Sequence, residues 1–164
     1  MSTLEQLSDR HEIADLLVRY ARAVDRCDLD LLIGVWAPGA IVDYGSGEVD
    51  AAEWSRGLLD RLLDMDRTQH ALSNSLVALD GDRATAETVC TAYHRFRAEA
   101  GWTRMVVGGR YLDRLIRTEA GWRIEHRRYV MDWNETETST METEGRFARF
   151  TRVGLRAPDD ASYF

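Results

Sequence analysis

From the amino terminus, apolar residues recur at three- and four-residue steps: Leu4, Leu7, Ile13, Leu16, Leu17, Tyr20, Ala21 and Val24. That period predicts a long amphipathic helix, capped by Ser2 or Thr3. The pattern breaks at Cys27 and Asp28, and Asp28 is the better placed to cap the next segment. "LDLLIGVWA" reads as a short second helix stopped by Pro38 and Gly39. "AIVDYG" reads as a short strand ending at glycine. "VDAAEWSRGLLDRLLDMD" reads as a third helix, with Asp50 as its cap and Trp54, Leu58, Leu59, Leu62 and Leu63 as its apolar stripe.

After Asp66 the period changes. "TQHALSNSLVALD", "RATAETVCTAYHRFRAE", "WTRMVVGGRYLDRLIRTE" and "WRIEHRRYVMDWNE" are long and rich in β-branched and aromatic residues. "DGD" at Asp80 to Asp82 and "EAGW" at Glu99 and again at Glu119 separate them as turns. Long strands joined by tight turns predict an antiparallel meander, so the fold class is α+β. Gly108 and Gly109 fall inside a strand, where glycine marks a bulge or sharp bend. A sheet bent there can curl over the helices and enclose a pocket. The polar end, "TETSTMETEGRFARF" to "RAPDDASYF", carries a weak helical pattern at Phe147 and Phe150. Its aromatic residues favour docking over a pocket mouth or a neighbouring subunit.

The chain has 164 residues, a length that suits one domain with one core. Its formal net charge of −7 argues against nucleic acid or an anionic membrane as the main partner. All 21 cationic side chains are arginine, so a lysine Schiff base has no residue to form on. Cys27 and Cys90 form no CxxC or metal-ligand spacing, and no metal site is expected. No segment reads as a signal peptide or membrane span, so the expected location is cytoplasmic.

The candidate chemistry lies in Asp25, Tyr20 and the histidines. His11 sits in a charged stretch of the first helix and reads as a surface residue. His70 opens the first long strand, His94 lies well inside the next, and His126 precedes Arg127 and Arg128 on the last. A carboxylate bonded to one imidazole nitrogen fixes the tautomer and favours imidazolium once the other nitrogen takes a proton. Such a pair is a general base for removing a proton from carbon. Tyr20 precedes Asp25 by five residues, which turns an ideal helix through about 500° and leaves about 140° between the side chains. Spacing alone therefore does not join them.

The run "IADLLVRYARAVDRCDLDLLIGVWAPGAIVDYG", the His-bearing strand and the closing "GWRIEHRRYVMDW" resemble the SnoaL-like branch of the NTF2-like superfamily. Within it, the chain is similar to the scytalone dehydratase, bile-acid 7α-dehydratase and hexachlorocyclohexane dehydrochlorinase group. The resemblance covers residues 4 to 135. It divides the chain into a domain over 1–135 and a tail over 136–164. It implies a cone of helices on a strongly curved antiparallel or mixed sheet around an apolar pocket. It also implies an Asp on the first helix paired with a His at the start of the long sheet, here Asp25 and His70. Tyr20 matches the family's tyrosine, His94 its second histidine, and Arg127 its last-strand arginine, with Arg128 facing the opposite way.

The activity so implied is cofactor-independent elimination by a lyase of the dehydratase type. His70 takes the proton, Tyr20 assists the leaving group or polarises a carbonyl, His94 is a second acid, and Arg127 steadies an oxyanion or carboxylate. Trp36, Tyr44, Trp54, Tyr93, Phe96, Val106 and Met131 are the expected lining, which suits a hydrophobic cyclic, steroid-, polyketide- or aromatic-like ligand. A ketosteroid-isomerase-like isomerase or a polyketide cyclase begins with the same proton abstraction, and a non-catalytic binding or assembly module is the third reading. The resemblance implies a homo-oligomer, a trimer in the dehydratase group and a dimer elsewhere.

Overall fold

The computed structural model describes residues 3–164, so the expectation for Ser2 lies outside it. Helix α1 (Leu4–Arg26) begins at Thr3, whose side chain accepts from the Gln6 N–H while the Gln6 side chain accepts from the Thr3 N–H. This reciprocal cap satisfies two orphan donors of the first turn. Burial of the apolar stripe starts beyond Leu4 and Leu7, which stay exposed; Ile13, Leu16, Leu17, Tyr20 and Val24 are buried. Asp9 fixes the helix against the sheet by accepting from Arg117 at 2.7 Å and from the Trp122 indole at 3.1 Å. Cys27 ends α1 in the left-handed conformation at φ 50°. Asp28 then caps α2 (Leu29–Ile33) by accepting from Leu31 N–H.

The second helix is shorter than its sequence pattern. Trp36 and Ala37 already belong to strand β1 (Trp36–Asp43), because Trp36 pairs with Ile124 and buries its indole in the core. Tertiary pairing overrides local helix preference here. Pro38 and Gly39 sit at an irregularity within β1 instead of ending a helix, where the missing proline N–H costs no ladder bond. Strand β2 (Glu48–Asp50) leads into α3 (Ala51–Leu63), which Asp50 caps through Ala52 N–H and Glu53 N–H.

Strands β3 (Arg67–Asp80), β4 (Arg83–Ala98), β5 (Gly101–Thr118) and β6 (Gly121–Thr138) form the expected antiparallel meander. β1 joins β6 in parallel, so the sheet is mixed, with order β2-β1-β6-β5-β4-β3. The helices pack against one face of this large curled sheet. The β5–β6 register slips between Gly108 and Gly109, leaving Asp132 as the extra residue. Close approach explains both glycines: a Cβ on Gly108 would stand 2.1 Å from the Trp133 indole, and one on Gly109 would stand 2.4 Å from the Val130 carbonyl oxygen. Residues 139–164 run back as an ordered tail with one short 3-10 turn, Gly145–Phe147.

Gly109→Ala is expected to destabilise the fold by about 1–3 kcal/mol, because backbone must move to admit the methyl. Gly57→Ala, in α3 beside only the flexible end of Arg61, is expected to be neutral or stabilising by up to about 1 kcal/mol. Urea denaturation of the two variants side by side checks the contrast.

Candidate active site

Asp25 lies in the last turn of α1, and both its oxygens are spent on one residue. Oδ1 meets His70 Nδ1 at 2.8 Å, and Oδ2 accepts the His70 backbone N–H at 2.7 Å. The side chains of Asp25 and His70 are only 10% and 9% exposed. The backbone bond pins the start of β3, while the ring bond fixes the imidazole and selects its tautomer. Burial alone would raise the Asp25 pKa. Bonds from the His70 ring and backbone, with Thr68, outweigh it and hold the carboxyl below its usual range. His70 Nε2 has no hydrogen-bond partner among the described residues, so its lone pair is free for chemistry.

His94 stands edge-on to His70, with ring centroids 5.6 Å apart. Its Nδ1 is buried without a partner among the described residues. Burial, reinforced by the nearby His70, pushes its pKa down to about 4. His94 is therefore a neutral imidazole at neutral pH.

Tyr20 faces a second cluster, as the helical divergence from Asp25 requires. Its hydroxyl shares a 2.8 Å hydrogen bond with that of Tyr44. Its ring meets Trp36 and Tyr111 edge-on, at 5.7 and 5.4 Å. Arg127 lies over both Tyr20 and Tyr111 at 4.0 Å, and its Nε and Nη2 donate to Asp113 at 2.7 Å each. Its side chain is 0% exposed, and its Nη1 is buried without a partner among the described residues. Arg128 points away and donates to Asp43. Burial raises the Tyr20 pKa, and the Arg127 cation and the Tyr44 bond only partly oppose it. Cys90 lies between the clusters, donating to Tyr111 at 3.4 Å.

The aromatic wall follows the expected lining in part. Trp36 donates its indole N–H to Ser55, Tyr44 stacks on Trp54 at 4.4 Å, and Tyr129 stacks on the other side of Tyr44 at 5.3 Å. Tyr129 was not among the expected residues, yet it stands two positions after Arg127 on the same strand face. By the same alternation Met131 shares that face, near the open end, and Phe96 shares the face of His94. Tyr93 and Val106 pair with each other on the opposite face, because neighbours in a strand point to opposite sides. Val106 is therefore outside the dyad's face. Tyr93 reaches a cleft only around the strand ends.

That cleft, of about 620 Å³, lies between the tail and the adjoining ends of β3, β4 and β5, with His94 in its wall. Arg156 of the tail closes it. Its Nη1 donates to the Asp25 carbonyl at 2.5 Å and to Thr68 at 2.8 Å, and its Nη2 to the Leu62 and Met65 carbonyls at 3.0 and 3.2 Å. Arg156 thus ties both helix ends to the strand that carries His70. Nothing in its polar sequence neighbourhood marks it. Thr68 could have been found as the residue two before His70 on the same face. Among the described residues no cluster of His, Cys, Asp and Glu suits a metal ion, and no helix is long and apolar enough to cross a membrane.

A curled mixed sheet with helices on one face and a carboxylate–imidazole pair at their junction defines an NTF2-like protein. The chain belongs to the SnoaL-like domain family, whose model matches residues 5–128. An uncharacterized protein of Mycobacterium tuberculosis (strain ATCC 25618 / H37Rv) is 35% identical over 132 residues, covering 77% of this chain and 88% of the relative. The Kfla4162 protein from Kribbella flavida superposes with a TM-score of 0.72 at 28% identity, over 78% of this chain and 93% of that one. The hexachlorocyclohexane dehydrochlorinase LinA-type3 from Novosphingobium barchaimii LL02 superposes with a TM-score of 0.75 at 16% identity, over 88% of this chain and 100% of that one.

The lowered His94 pKa fixes a pH dependence of stability. Between about 4 and the ordinary histidine value of 6.5 the unfolded chain binds a proton at His94 and the folded chain does not. Stability therefore falls as pH drops through this window. Chemical denaturation is expected to show a shallower loss in His94→Gln than in the wild type from pH 6.5 to 4.5.

Proposed function

We propose that the protein is a cofactor-independent lyase that eliminates water, or a comparable leaving group, from a hydrophobic cyclic small molecule. The observation that carries this reading is the two-point contact of Asp25 with His70. A catalytic base needs a fixed tautomer, a free second nitrogen and a counter-charge for the imidazolium it becomes, and this contact fits all three. His70 Nε2 takes the proton from carbon, and the C–H electron pair becomes the new double bond. The leaving hydroxyl departs as water with a proton from a hydroxyl donor. The Tyr20–Tyr44 pair is the proton donor within the site, and neutral His94 offers a hydrogen bond. The two hydroxyls act as one hydrogen-bonded unit, and Arg127 stabilises negative charge developing on the pair. The dehydrochlorinase among the structural neighbours belongs to the same reaction type, with chloride as the leaving group.

The hydroxyl pair also suits an enolate, the intermediate of a ketosteroid-isomerase-like reaction. The products separate the two readings, since elimination lowers the substrate mass by one water and isomerisation leaves it unchanged.

A panel of cyclic β-hydroxy ketones, hydroxysteroids and polychlorinated cyclohexanes, read by conjugated absorbance and chloride release, tests the activity. On a substrate so found, His70→Ala and Asp25→Asn are each expected to lower kcat by roughly two to four powers of ten while circular dichroism stays unchanged. Near-normal rates in both would remove the assignment. The same reading takes the protein as a homo-oligomer, a trimer before a dimer. Exposed Leu76, Tyr93 and Trp133 on the outer sheet face fit such contacts. Sedimentation velocity is expected to give a mass near three times the 18.7 kDa chain, and a monomer would overturn this part.

A further inference from the structure

Five arginines, Arg26, Arg67, Arg95, Arg104 and Arg156, line the cleft under the tail, against one carboxylate in its wall, Asp66. In a chain of net charge −7 this is a local reversal of sign. Asp66 pairs with both Arg67 and Arg95, Glu137 with Arg104, and Asp160 with Arg26 at 3.6 Å. Three carboxylates thus face five guanidinium groups. Arg156 has no carboxylate partner among the described residues; its donors go to three carbonyls and one hydroxyl. The remaining wall mixes apolar Leu63, Met65, Met141 and Leu155 with polar Thr68, Gln69 and Ser139. A concave site of about 620 Å³ with surplus positive charge and a partly apolar wall matches a small ligand that is part hydrophobic and part anionic.

We propose that this cleft binds the anionic group, a carboxylate or a phosphate, of an otherwise hydrophobic ligand, and that the substrate of the dyad carries that group. Guanidinium groups recognise both oxyanions through paired N–H donors. His94 lines the cleft and stands against His70, so a ligand anchored among the arginines extends its body toward the base. The link to the substrate rests on the lyase reading; binding of the anion does not.

Two fluorescent probes with the same ring framework test it: 8-anilinonaphthalene-1-sulfonate, which is anionic, and N-phenyl-1-naphthylamine, which is neutral. At low salt the wild type is expected to bind the sulfonate roughly tenfold more tightly, as two partly exposed ion pairs supply. Arg67→Gln with Arg104→Gln, both on partly exposed side chains, is expected to cut that preference to about twofold. Arg156→Gln is the second variant, and molar salt is expected to reduce the preference in the wild type. Displacement by 1-naphthoate against 1-naphthyl phosphate tells which oxyanion fits better. Equal binding of the two probes, a preference untouched by the arginine variants, or equal displacement by neutral 2-naphthol would overturn the proposal. His70→Ala is expected to keep the preference, so loss of turnover with retained anion binding separates the fate of this proposal from that of the lyase reading.

Discussion

The grip of Asp25 on His70 is the contact on which the rest of the structure turns. One carboxylate holds a backbone N–H and a ring nitrogen of the same residue, so it sets strand position and imidazole orientation together. α1 ends one residue later, at Arg26. Cys27 adopts a left-handed conformation, and the chain reverses instead of carrying Asp25 past the strand. Arg156 reinforces the junction from outside by holding the Asp25 carbonyl, the end of α3 and Thr68 at once. A charge buried to this degree is costly unless every lone pair has work, and here hydrogen bonds from His70 meet both oxygens.

The second constraint lies deeper. Arg127 and Asp113 form a fully buried bidentate pair roofed by the rings of Tyr20 and Tyr111. Desolvation makes such a pair a poor source of net stability, yet removing either partner would strand the other. Its effect is electrostatic: a fixed cation lies beneath the Tyr20–Tyr44 hydroxyl pair. On the proposed lyase reading, His70 is the basic end of the site and the tyrosines are its anion-stabilising end.

The tail adds a third element outside the SnoaL-like match, which ends at residue 128. Ala157 N–H donates to the Arg26 carbonyl, and the Tyr163 hydroxyl donates to Asp28 at 2.6 Å. These bonds fall on the turn between α1 and α2, the segment that presents Asp25. The tail, the cleft beneath it and the Asp25–His70 contact thus share one junction.

Periodicity in the sequence was sufficient for the first and third helices, the four long strands and the bend at Gly108 and Gly109, because each depends on local residue order. It also separated Tyr20 from Asp25 by helical angle. It joined neither residue to a partner: Asp25 and His70 stand 45 positions apart, and only the family resemblance paired them. Three features were beyond any local signal. β1 begins at Trp36 because Ile124 is its partner. Tyr93 and Val106 leave the face of His94 because strand register, not residue type, decides which side a ring occupies. Arg127 is buried because Asp113, on the neighbouring strand, takes two of its nitrogens, Nε and Nη2. Chain order therefore determined what each segment would be, while long-range pairing decided which polar groups meet, since burial assigns every charged side chain a partner that the linear sequence does not name.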